Sequence, residues 1–412
     1  MEQRRTGCCI AGGGPAGMML GLLLARVGVD VTVFEKHADF LRDFRGDTVH
    51  PSTMQVMDEL GLLDDFLTRP HSKVRELAAF IEGERVMVAD FSHLPVRAPF
   101  VAFMPQWEFL DFLAHHATPN PRFHLSMEAQ VRDLLHDEGR VTGARVTTPA
   151  GELEILADLV VGADGRESVV RQKAGLAIQD LGAPIDVLWM RLSRRAADPS
   201  QAFGHLRRGH VFVTLDRGDY WQCAFVIPKH GLEERRRGDI ESLRTQIAVV
   251  APFLADRVAE LRSWDDVKLL TVKIDRLREW AAPGVLCIGD AAHAMSPVGG
   301  VGINLAIQDA VATANLLGEP LRRGAPSLDE LRRVQRRREL PTRVTQRVQI
   351  AAQNGLIAPT LAADAPLRVP AVARLLNAWP WLRRFPARMV GLGVRPEHVR
   401  NLASRDELEP PT

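Results

Sequence analysis

The residues whose spacing points most directly to chemistry form a glycine-rich turn at positions 12–17, with the sequence GGGPAG. An apolar run precedes this turn, an apolar helical stretch follows it, and a β-branched run at 31–34 ends beside Glu35, 18 residues after Gly17. Gly12 permits the tight turn, Gly14 lets the backbone approach a pyrophosphate, and Gly17 lets helix and strand pack closely. The free N–H groups at the helix start would bind phosphates, and the acid would bind ribose hydroxyls. The turn therefore predicts a dinucleotide site, with FAD and NAD both open, formed by Gly12, Gly14, Pro15, Ala16, Gly17, Glu35 and Lys36.

The glycine-rich turn is the first motif, and a second and a third motif follow two other strand-like runs. Residues 164–171, DGRESVVR, come after the run LVVG, and residues 289–293, GDAAH, come after VLCI. A glycine-rich segment at 297–304, PVGGVGIN, then opens a helix. The alternative role for Asp164 and Asp290 is to cap a loop or a helix start.

Taken with the N-terminal turn, these motifs resemble in order and spacing the class A flavoprotein monooxygenases, the para-hydroxybenzoate hydroxylase-like family. The resemblance covers residues 7–50 and 100–320. It implies FAD as the cofactor, with Asp290 binding the ribityl hydroxyls and Asp164 assisting both the FAD pyrophosphate and the nicotinamide coenzyme. It also implies contacts of Arg45 and Gln106 with the ribityl and phosphate region, and backbone contacts of Val131 with adenine.

The segment at 297–304 has a physical logic of its own. Reduced flavin carries negative charge near N1 and the C2 carbonyl, and N–H donors together with the positive end of a helix stabilise such charge. Gly299, Gly300 and Gly302 would let the backbone approach the ring without side chains. Pro297, Gly299 and Gly300 are therefore candidates for tuning the flavin, and Gly300, Gly302 and Asn304 are assigned to cofactor binding.

The pattern of strands and helices predicts an α/β fold. We expect a Rossmann-like FAD-binding domain of the glutathione reductase type, built from the non-contiguous residues 1–71, 105–180 and 280–330. A mainly antiparallel β-sheet substrate domain is expected from residues 72–104 and 181–279. Residues 331–412 are predicted to form C-terminal helices broken by prolines, and the last dozen residues a tail.

Composition narrows the classes of function. The 412 residues carry a net charge of +1, which favours no nucleic-acid partner, and no apolar run is long enough for a transmembrane segment or a signal peptide. The four cysteines lack metal-ligand spacing and are interpreted as buried thiols of a cytoplasmic protein. Hydrolase and zinc motifs such as G-x-S-x-G and H-E-x-x-H do not occur.

The resemblance implies a reaction. NADH or NADPH reduces FAD, dioxygen adds at C4a, and the hydroperoxide passes one oxygen atom to an apolar small molecule, which we expect to be aromatic. Tyr220 is the only tyrosine, so the tyrosine pair of the para-hydroxybenzoate enzyme has no counterpart here. A flavin reductase or oxidase without oxygen transfer, and a flavin-binding regulator, stay open as alternatives. The sequence leaves open the substrate, the choice of coenzyme and the oligomeric state.

Four further groups of side chains receive an interpretation. Apolar residues of the β region are candidates for a wall that keeps water from the flavin, with core packing as the stronger interpretation for any one of them: Trp189, Phe203, Phe212, Trp221 and Phe225. The histidines nearest the cofactor lobe are interpreted as structural or surface residues: His50, His115, His116 and His293. Trp379 and Trp381 are expected to pack within the C-terminal helices. The arginines at 332–333 and 336–338 are expected to form a solvated helix face.

Overall fold

The computed structural model describes residues 2–41, 48–199 and 203–400. The strands in these ranges are, in chain order, β1 Glu2–Ala11, β2 Val31–Phe34, β3 Thr48–Val49, β4 Ser72–Val74, β5 Glu76–Ile81, β6 Glu84–Asp90, β7 Val101–Phe103, β8 Phe123–Ser126, β9 Gln130–Asp137, β10 Arg140–Thr148, β11 Gly151–Gly162, β12 Ile178–Asp180, β13 Ile185–Ser193, β14 Phe203–Arg207, β15 His210–Asp216, β16 Tyr220–Pro228, β17 Lys268–Leu270, β18 Asp275–Leu277, β19 Ala281–Ala282 and β20 Val285–Cys287. The α-helices are α1 Pro15–Arg26, α2 Pro51–Glu59, α3 Leu63–Phe66, α4 Gln106–Ala117, α5 Val169–Lys173, α6 Leu232–Arg236, α7 Ile240–Val250, α8 Gly302–Arg323, α9 Leu328–Ala352, α10 Ala358–Leu361, α11 Ala371–Ala378 and α12 Arg384–Gly391.

The first sheet has a parallel centre in the order β20-β11-β1-β2-β8, with β9 and β10 joined antiparallel beside β11. Its register pairs Ala11 of β1 with Gly162 of β11 and Phe34 of β2, and pairs Gly162 with Cys287 of β20. Helices α1 and α8 belong to the same buried core as the sheet. The sequences of the central strands are therefore continuous apolar runs, as in parallel sheets that helices cover. The predicted Rossmann-like fold of this region is confirmed.

A second sheet has the order β17-β13-β16-β15-β14-β5-β6, and its neighbouring strands are antiparallel except for the pair β14 and β5. This confirms the expected mainly antiparallel sheet. Helix α7 interrupts the same stretch of chain and was not expected there; its buried residues Ile240, Leu243, Ile247 and Val250 lie on one face. The division of the chain into three regions stays a prediction.

The two faces of the second sheet differ in what they contact. Phe212, Trp221 and Phe225 pack in the same cluster as α7. On the opposite face, Trp189 packs in one cluster with Val298 of the glycine-rich segment. The core-packing interpretation is therefore confirmed for Phe212, Trp221 and Phe225, which lie in the core between the second sheet and α7. The side chain of Phe203 lies outside the described residues.

The C-terminal arginines do not all face solvent. Arg332, Arg333 and Arg336 are exposed, but Arg338 is buried, with its Nε 2.9 Å from Asp309 Oδ1. Arg337 Nε lies 2.6 Å from the buried Glu397. The solvated-face prediction is wrong for Arg337 and Arg338, because their acidic partners are distant in sequence.

The expected C-terminal helices are confirmed, and Pro370 and Pro380 stand at the two ends of α11. Pro341 does not break the chain of helices, because it lies inside α9, where tertiary packing overrides its low helix propensity. The expected packing of Trp379 and Trp381 is wrong, because both lie in the connection between α11 and α12 and are more than half exposed. The predicted tail at 401–412 lies outside the described residues, and no helix within the described ranges has the length and apolar character needed to cross a membrane.

Candidate active site

The glycine turn joins β1 to α1 through contacts that admit no side chain. A Cβ on Gly12, whose φ is +103°, would lie 2.4 Å from the carbonyl oxygen of Ala163, and a Cβ on Gly17 would lie 2.0 Å from the carbonyl oxygen of Gly12. Gly14 is different: its backbone is extended at the start of α1, and a Cβ there would meet nothing within 4 Å. The first N–H groups of α1 have no acceptor within their own helix. The turn is thus tightly packed against neighbouring backbone at Gly12 and Gly17 and open at Gly14. A phosphate site requires such open space at the start of a helix.

Glu35 follows the carboxyl end of β2 and is held against the turn. Its Oε2 accepts a hydrogen bond from Gly13 N at 3.0 Å, and its Oε1 accepts one from His37 N at 3.1 Å. Its carbonyl oxygen accepts from Ala129 N at 2.8 Å, two residues before the buried Val131. The structure therefore brings Glu35 beside both the glycine turn and the start of β9. Lys36, the next residue, is exposed.

Asp164 follows β11, and only one of its two carboxylate oxygens accepts hydrogen bonds from described residues. Its Oδ2 accepts hydrogen bonds from Val169 N at 2.7 Å and Val170 N at 3.2 Å, so the capping alternative describes this oxygen. Its Oδ1 is buried and has no hydrogen-bond partner among the described residues. Burial raises the pKa of Asp164, against the lowering effect of the Ser168 hydroxyl and the backbone N–H groups. A buried oxygen without a partner is costly, and this one fits a hydrogen-bond donor from a ligand.

Asp290 follows β20 and meets the second motif. Its Oδ2 lies 3.2 Å from Nε of Arg166, and both side chains are partly exposed. Arg171 Nη1 donates to the carbonyl oxygen of Ala291 at 3.2 Å. The capping alternative does not describe Asp290, whose one hydrogen bond among the described side chains joins it to Arg166.

The third motif also touches the first. A Cβ on Gly289 would lie 3.1 Å from Cβ of Ala16, and the same Cβ on Gly12 would lie 2.8 Å from Cα of Asp164. The three motifs predicted from sequence are therefore in mutual contact at one edge of the first sheet.

The glycine-rich segment is fastened to the chain that precedes α2. Gly299 and Gly300 have φ values of +81° and +63°, which glycine adopts readily. The carbonyl oxygen of Gly300 accepts a hydrogen bond from Thr48 Oγ1 at 2.7 Å, and a Cβ on Gly300 would lie 2.4 Å from that hydroxyl. Pro297 precedes these glycines, and Gly302 is the first residue of α8.

Asn304 connects the start of α8 to the chain around the start of α2 by further hydrogen bonds. Its Oδ1 accepts hydrogen bonds from His50 N at 3.1 Å and from Thr53 Oγ1 at 2.7 Å. Its Nδ2 is buried without a hydrogen-bond partner in the described parts of the chain. Asn304 therefore has a structural role through its oxygen and a donor left for a ligand.

Two histidines of the lobe are buried. The Nδ1 of His50 lies 2.8 Å from the carbonyl oxygen of Val390, and burial lowers the pKa of His50 to about 4. The Nε2 of His293 lies 2.6 Å from Asp309 Oδ2. Both positions fit the structural interpretation, and His50 is neutral at pH 7.

Sequence reasoning did not find several residues that shape the site. Thr48, Thr53 and Arg166 contact the motifs across separations of 252, 251 and 124 residues, and no local pattern signals such contacts. Gln106 is the partly buried first residue of α4. Arg45 lies outside the described residues.

The arrangement fits a long dinucleotide cofactor. Ligand-binding space is open at Gly14, and Asp164 Oδ1 and Asn304 Nδ2 offer one buried acceptor and one buried donor without partners among the described residues. The family model described as FAD binding domain matches residues 5–348. The chain belongs to this FAD-binding family.

Two curated relatives of this flavoprotein are named monooxygenases. It is 34% identical over 400 residues to 6-methylpretetramide 4-monooxygenase of Streptomyces rimosus, covering 96% of this chain and 94% of that protein. It is 25% identical over 339 residues to para-nitrophenol 4-monooxygenase of Pseudomonas sp., covering 79% of this chain and 81% of the relative. The flavoprotein is an FAD-dependent monooxygenase, as the resemblance to the class A family implied.

Solved structures show the same fold. The anhydrotetracycline hydroxylase OxyS of Streptomyces rimosus has a TM-score of 0.73 and 25% identity, with coverage of 94% of the flavoprotein and 76% of OxyS. PqsL of Pseudomonas aeruginosa, a probable FAD-dependent monooxygenase, has a TM-score of 0.74 and 23% identity, with coverage of 87% and 99%. At that identity PqsL supports the fold alone.

Adding one methyl group should have different effects at Gly14 and at Gly17. Gly17→Ala should lower the free energy of unfolding by about 1–3 kcal/mol, because its Cβ collides with the backbone of Gly12. Gly14→Ala should change that free energy by about 1 kcal/mol or less, yet weaken FAD binding, because its methyl group enters the open space. Urea unfolding of the apoprotein and fluorescence titration with FAD measure the two effects. Equal stability of Gly17→Ala and wild type, or unchanged FAD affinity of Gly14→Ala, would contradict this account of the turn.

Proposed function

We propose that this FAD-dependent monooxygenase consumes NADH or NADPH and inserts one atom of O2 into an apolar, aromatic small molecule. The observation that carries the proposal is the meeting of three motifs at one sheet edge, with the glycine-rich segment packed through Val298 onto an apolar face of the second sheet. The names of the relatives, which refer to 6-methylpretetramide and para-nitrophenol, support an aromatic substrate.

The residues at the sheet edge suit FAD bound in an extended form. In this proposal Glu35 and Val131 hold the adenosine end, the start of α1 holds the phosphates, and Asp290 binds the ribityl hydroxyls. Asp164 offers its unpartnered Oδ1 to the same ligand. The full set of cofactor-binding residues proposed is Gly12, Gly14, Pro15, Ala16, Gly17, Glu35, Lys36, Arg45, Gln106, Val131, Asp164, Asp290, Gly300, Gly302 and Asn304.

The glycine-rich segment is proposed to serve the flavin end. When bound, FAD accepts hydride from the nicotinamide coenzyme and activates dioxygen. The N–H of Gly300 donates to the carbonyl oxygen of Pro297 at 3.0 Å. Negative charge placed there would therefore be stabilised by the first N–H groups and the positive end of α8. Thr48 keeps this backbone in position through its hydrogen bond to Gly300.

The substrate is proposed to lie between this segment and the second sheet. Val187, Trp189 and Val213 share one apolar cluster with Val298. Such a surface excludes water from the reacting atoms, which prevents loss of the oxygen equivalent as hydrogen peroxide. Trp189 thus becomes the aromatic residue proposed for the wall.

A cytoplasmic location belongs to the same proposal. NAD(P)H is the reductant that the reaction needs, and the four cysteines are buried free thiols, which fit a reducing compartment.

The reaction is tested with the purified holoenzyme, NADPH or NADH, and isotopically labelled dioxygen. Polycyclic phenols and nitrophenols are the substrates to screen, in the light of the relatives. We expect at least one of them to accelerate NAD(P)H oxidation and to gain one labelled oxygen atom, as detected by mass spectrometry. Hydrogen peroxide as the only oxygen product throughout would instead identify an oxidase or reductase, and a flavin that NAD(P)H never reduces would identify a binding protein.

The two faces of the second sheet allow a matched test of the wall. Trp189→Ala should increase the fraction of oxidised NAD(P)H that ends as hydrogen peroxide and lower kcat/KM by roughly tenfold or more, because about 2 kcal/mol of apolar contact is lost. Phe212→Leu, on the face toward α7, should lower the unfolding free energy by about 1 kcal/mol and leave the peroxide fraction unchanged. Peroxide and product are quantified in the same reaction. Equal peroxide fractions for Trp189→Ala and wild type would place the substrate elsewhere.

A further inference from the structure

The segment that carries α11 and α12 is attached to the edge strand β6 through small and polar residues. Ala373 of α11 and Ala387 of α12 are buried. Asn377 Oδ1 accepts a hydrogen bond from Met87 N at 2.9 Å, and Asn377 Nδ2 donates to the carbonyl oxygen of Arg85 at 3.2 Å. These contacts fix the inner side of the segment on the second sheet.

The outer side of the segment carries its large apolar residues. Their exposures range from 40% to 65%, and they form what we term the C-terminal apolar face: Val372, Leu375, Trp379, Trp381, Phe385 and Met389. Phe385 and Met389 are four residues apart on α12, so they lie on one side of that helix. A helix of a protein surrounded by water ordinarily turns its large apolar residues inward. Here the alanines face the protein and the aromatic residues face outward.

The same segment is strongly basic. Residues 365–396 contain six arginines and no aspartate or glutamate, in a chain whose net charge is +1. Arg374, Arg384 and Arg388 are exposed, and none of the three forms an ion pair with another described residue. Arg383 differs, since it donates to the carbonyl oxygens of Leu376 and Asn377. Three unpaired positive charges thus border the C-terminal apolar face.

We propose that the C-terminal apolar face binds the surface of an anionic lipid bilayer. Tryptophan side chains favour the boundary between headgroups and acyl chains, and arginines beside them attract anionic headgroups. Helices α11 and α12 have eight residues each, so they lie in the interface and do not span it.

A second copy of the chain is a poorer occupant of this face. In a symmetric dimer the same patch meets itself, so the arginines that border the face in one copy, Arg374, Arg384 and Arg388, would be brought toward the equally basic patch of the other copy. Like charges brought together in this way oppose association. Negative charge spread over a surface complements the patch.

The test measures co-sedimentation of the full-length holoenzyme with vesicles of phosphatidylcholine alone or mixed with phosphatidylglycerol. We expect binding to the anionic vesicles only, weakened by salt. The triple variant Arg374→Gln, Arg384→Gln and Arg388→Gln should lower the vesicle partition coefficient roughly 100-fold, since each arginine near an anionic surface contributes about fivefold. The triple variant Trp379→Ser, Trp381→Ser and Phe385→Ser should abolish binding by removing the inserted side chains.

Matched controls come from other exposed sites. Arg332→Gln, Arg333→Gln and Arg336→Gln remove three exposed arginines of α9, and Val249→Ser, Leu269→Ser and Leu340→Ser remove three exposed apolar side chains. Both control variants should bind vesicles like wild type. Thermal unfolding and flavin absorbance verify that every variant is folded.

Three outcomes would overturn the proposal. Wild type that stays in solution with anionic vesicles contradicts it, and so does equal binding by the segment variants and wild type. A dimer that the aromatic variant dissociates, without vesicle binding by wild type, would identify a self-association surface. None of these results bears on the oxygenation reaction, which is measured without lipid.

Discussion

The site depends on the register of three neighbouring parallel strands. Backbone pairing of β1 with β11, and of β11 with β20, aligns Ala11, Gly162 and Cys287. The residues that follow them must therefore emerge side by side at one edge, although they come from distant parts of the sequence. This is the edge at which open α/β sheets bind their ligands. Without that register the three motifs would share no ligand.

Close backbone approach packs these strand ends tightly together at that edge. The glycines at 12 and 17 touch neighbouring backbone where a Cβ would collide, and Gly14 leaves the front of the turn clear. Long-range hydrogen bonds then fix the parts that the sheet does not hold. Arg166 joins the second motif to Asp290, and Thr48 joins the glycine-rich segment to the chain before α2. The site is a product of strand register, glycine contacts and a few distant polar pairs.

Features written in local sequence were predictable, and features that depend on distant partners were not. The apolar run at 31–34 forms β2, and the predicted motifs lie at the ends of strands. Both were predictable because the period of a strand and a glycine turn are patterns of neighbouring residues. Whether an arginine is exposed or buried could not be predicted from neighbouring residues. Arg338 is buried because it pairs with Asp309, which lies on another helix. Strand alternation likewise separated the aromatic residues of the second sheet into two faces, and the packing of α7 on the face of Phe212 and Trp221 depends on contacts that local sequence does not reveal.

FAD affinity of the Asp290→Ala variant tests most directly whether three converging strand ends hold one cofactor. Loss of a charged acceptor for the ribityl hydroxyls should raise the Kd for FAD roughly 10- to 150-fold, equivalent to about 1.5–3 kcal/mol. The unfolding free energy of the apoprotein should change little, because the Asp290 side chain is partly exposed. A Kd equal to that of wild type would mean that the end of β20 takes no part in holding the flavin, and the convergence described here would not be the basis of the site.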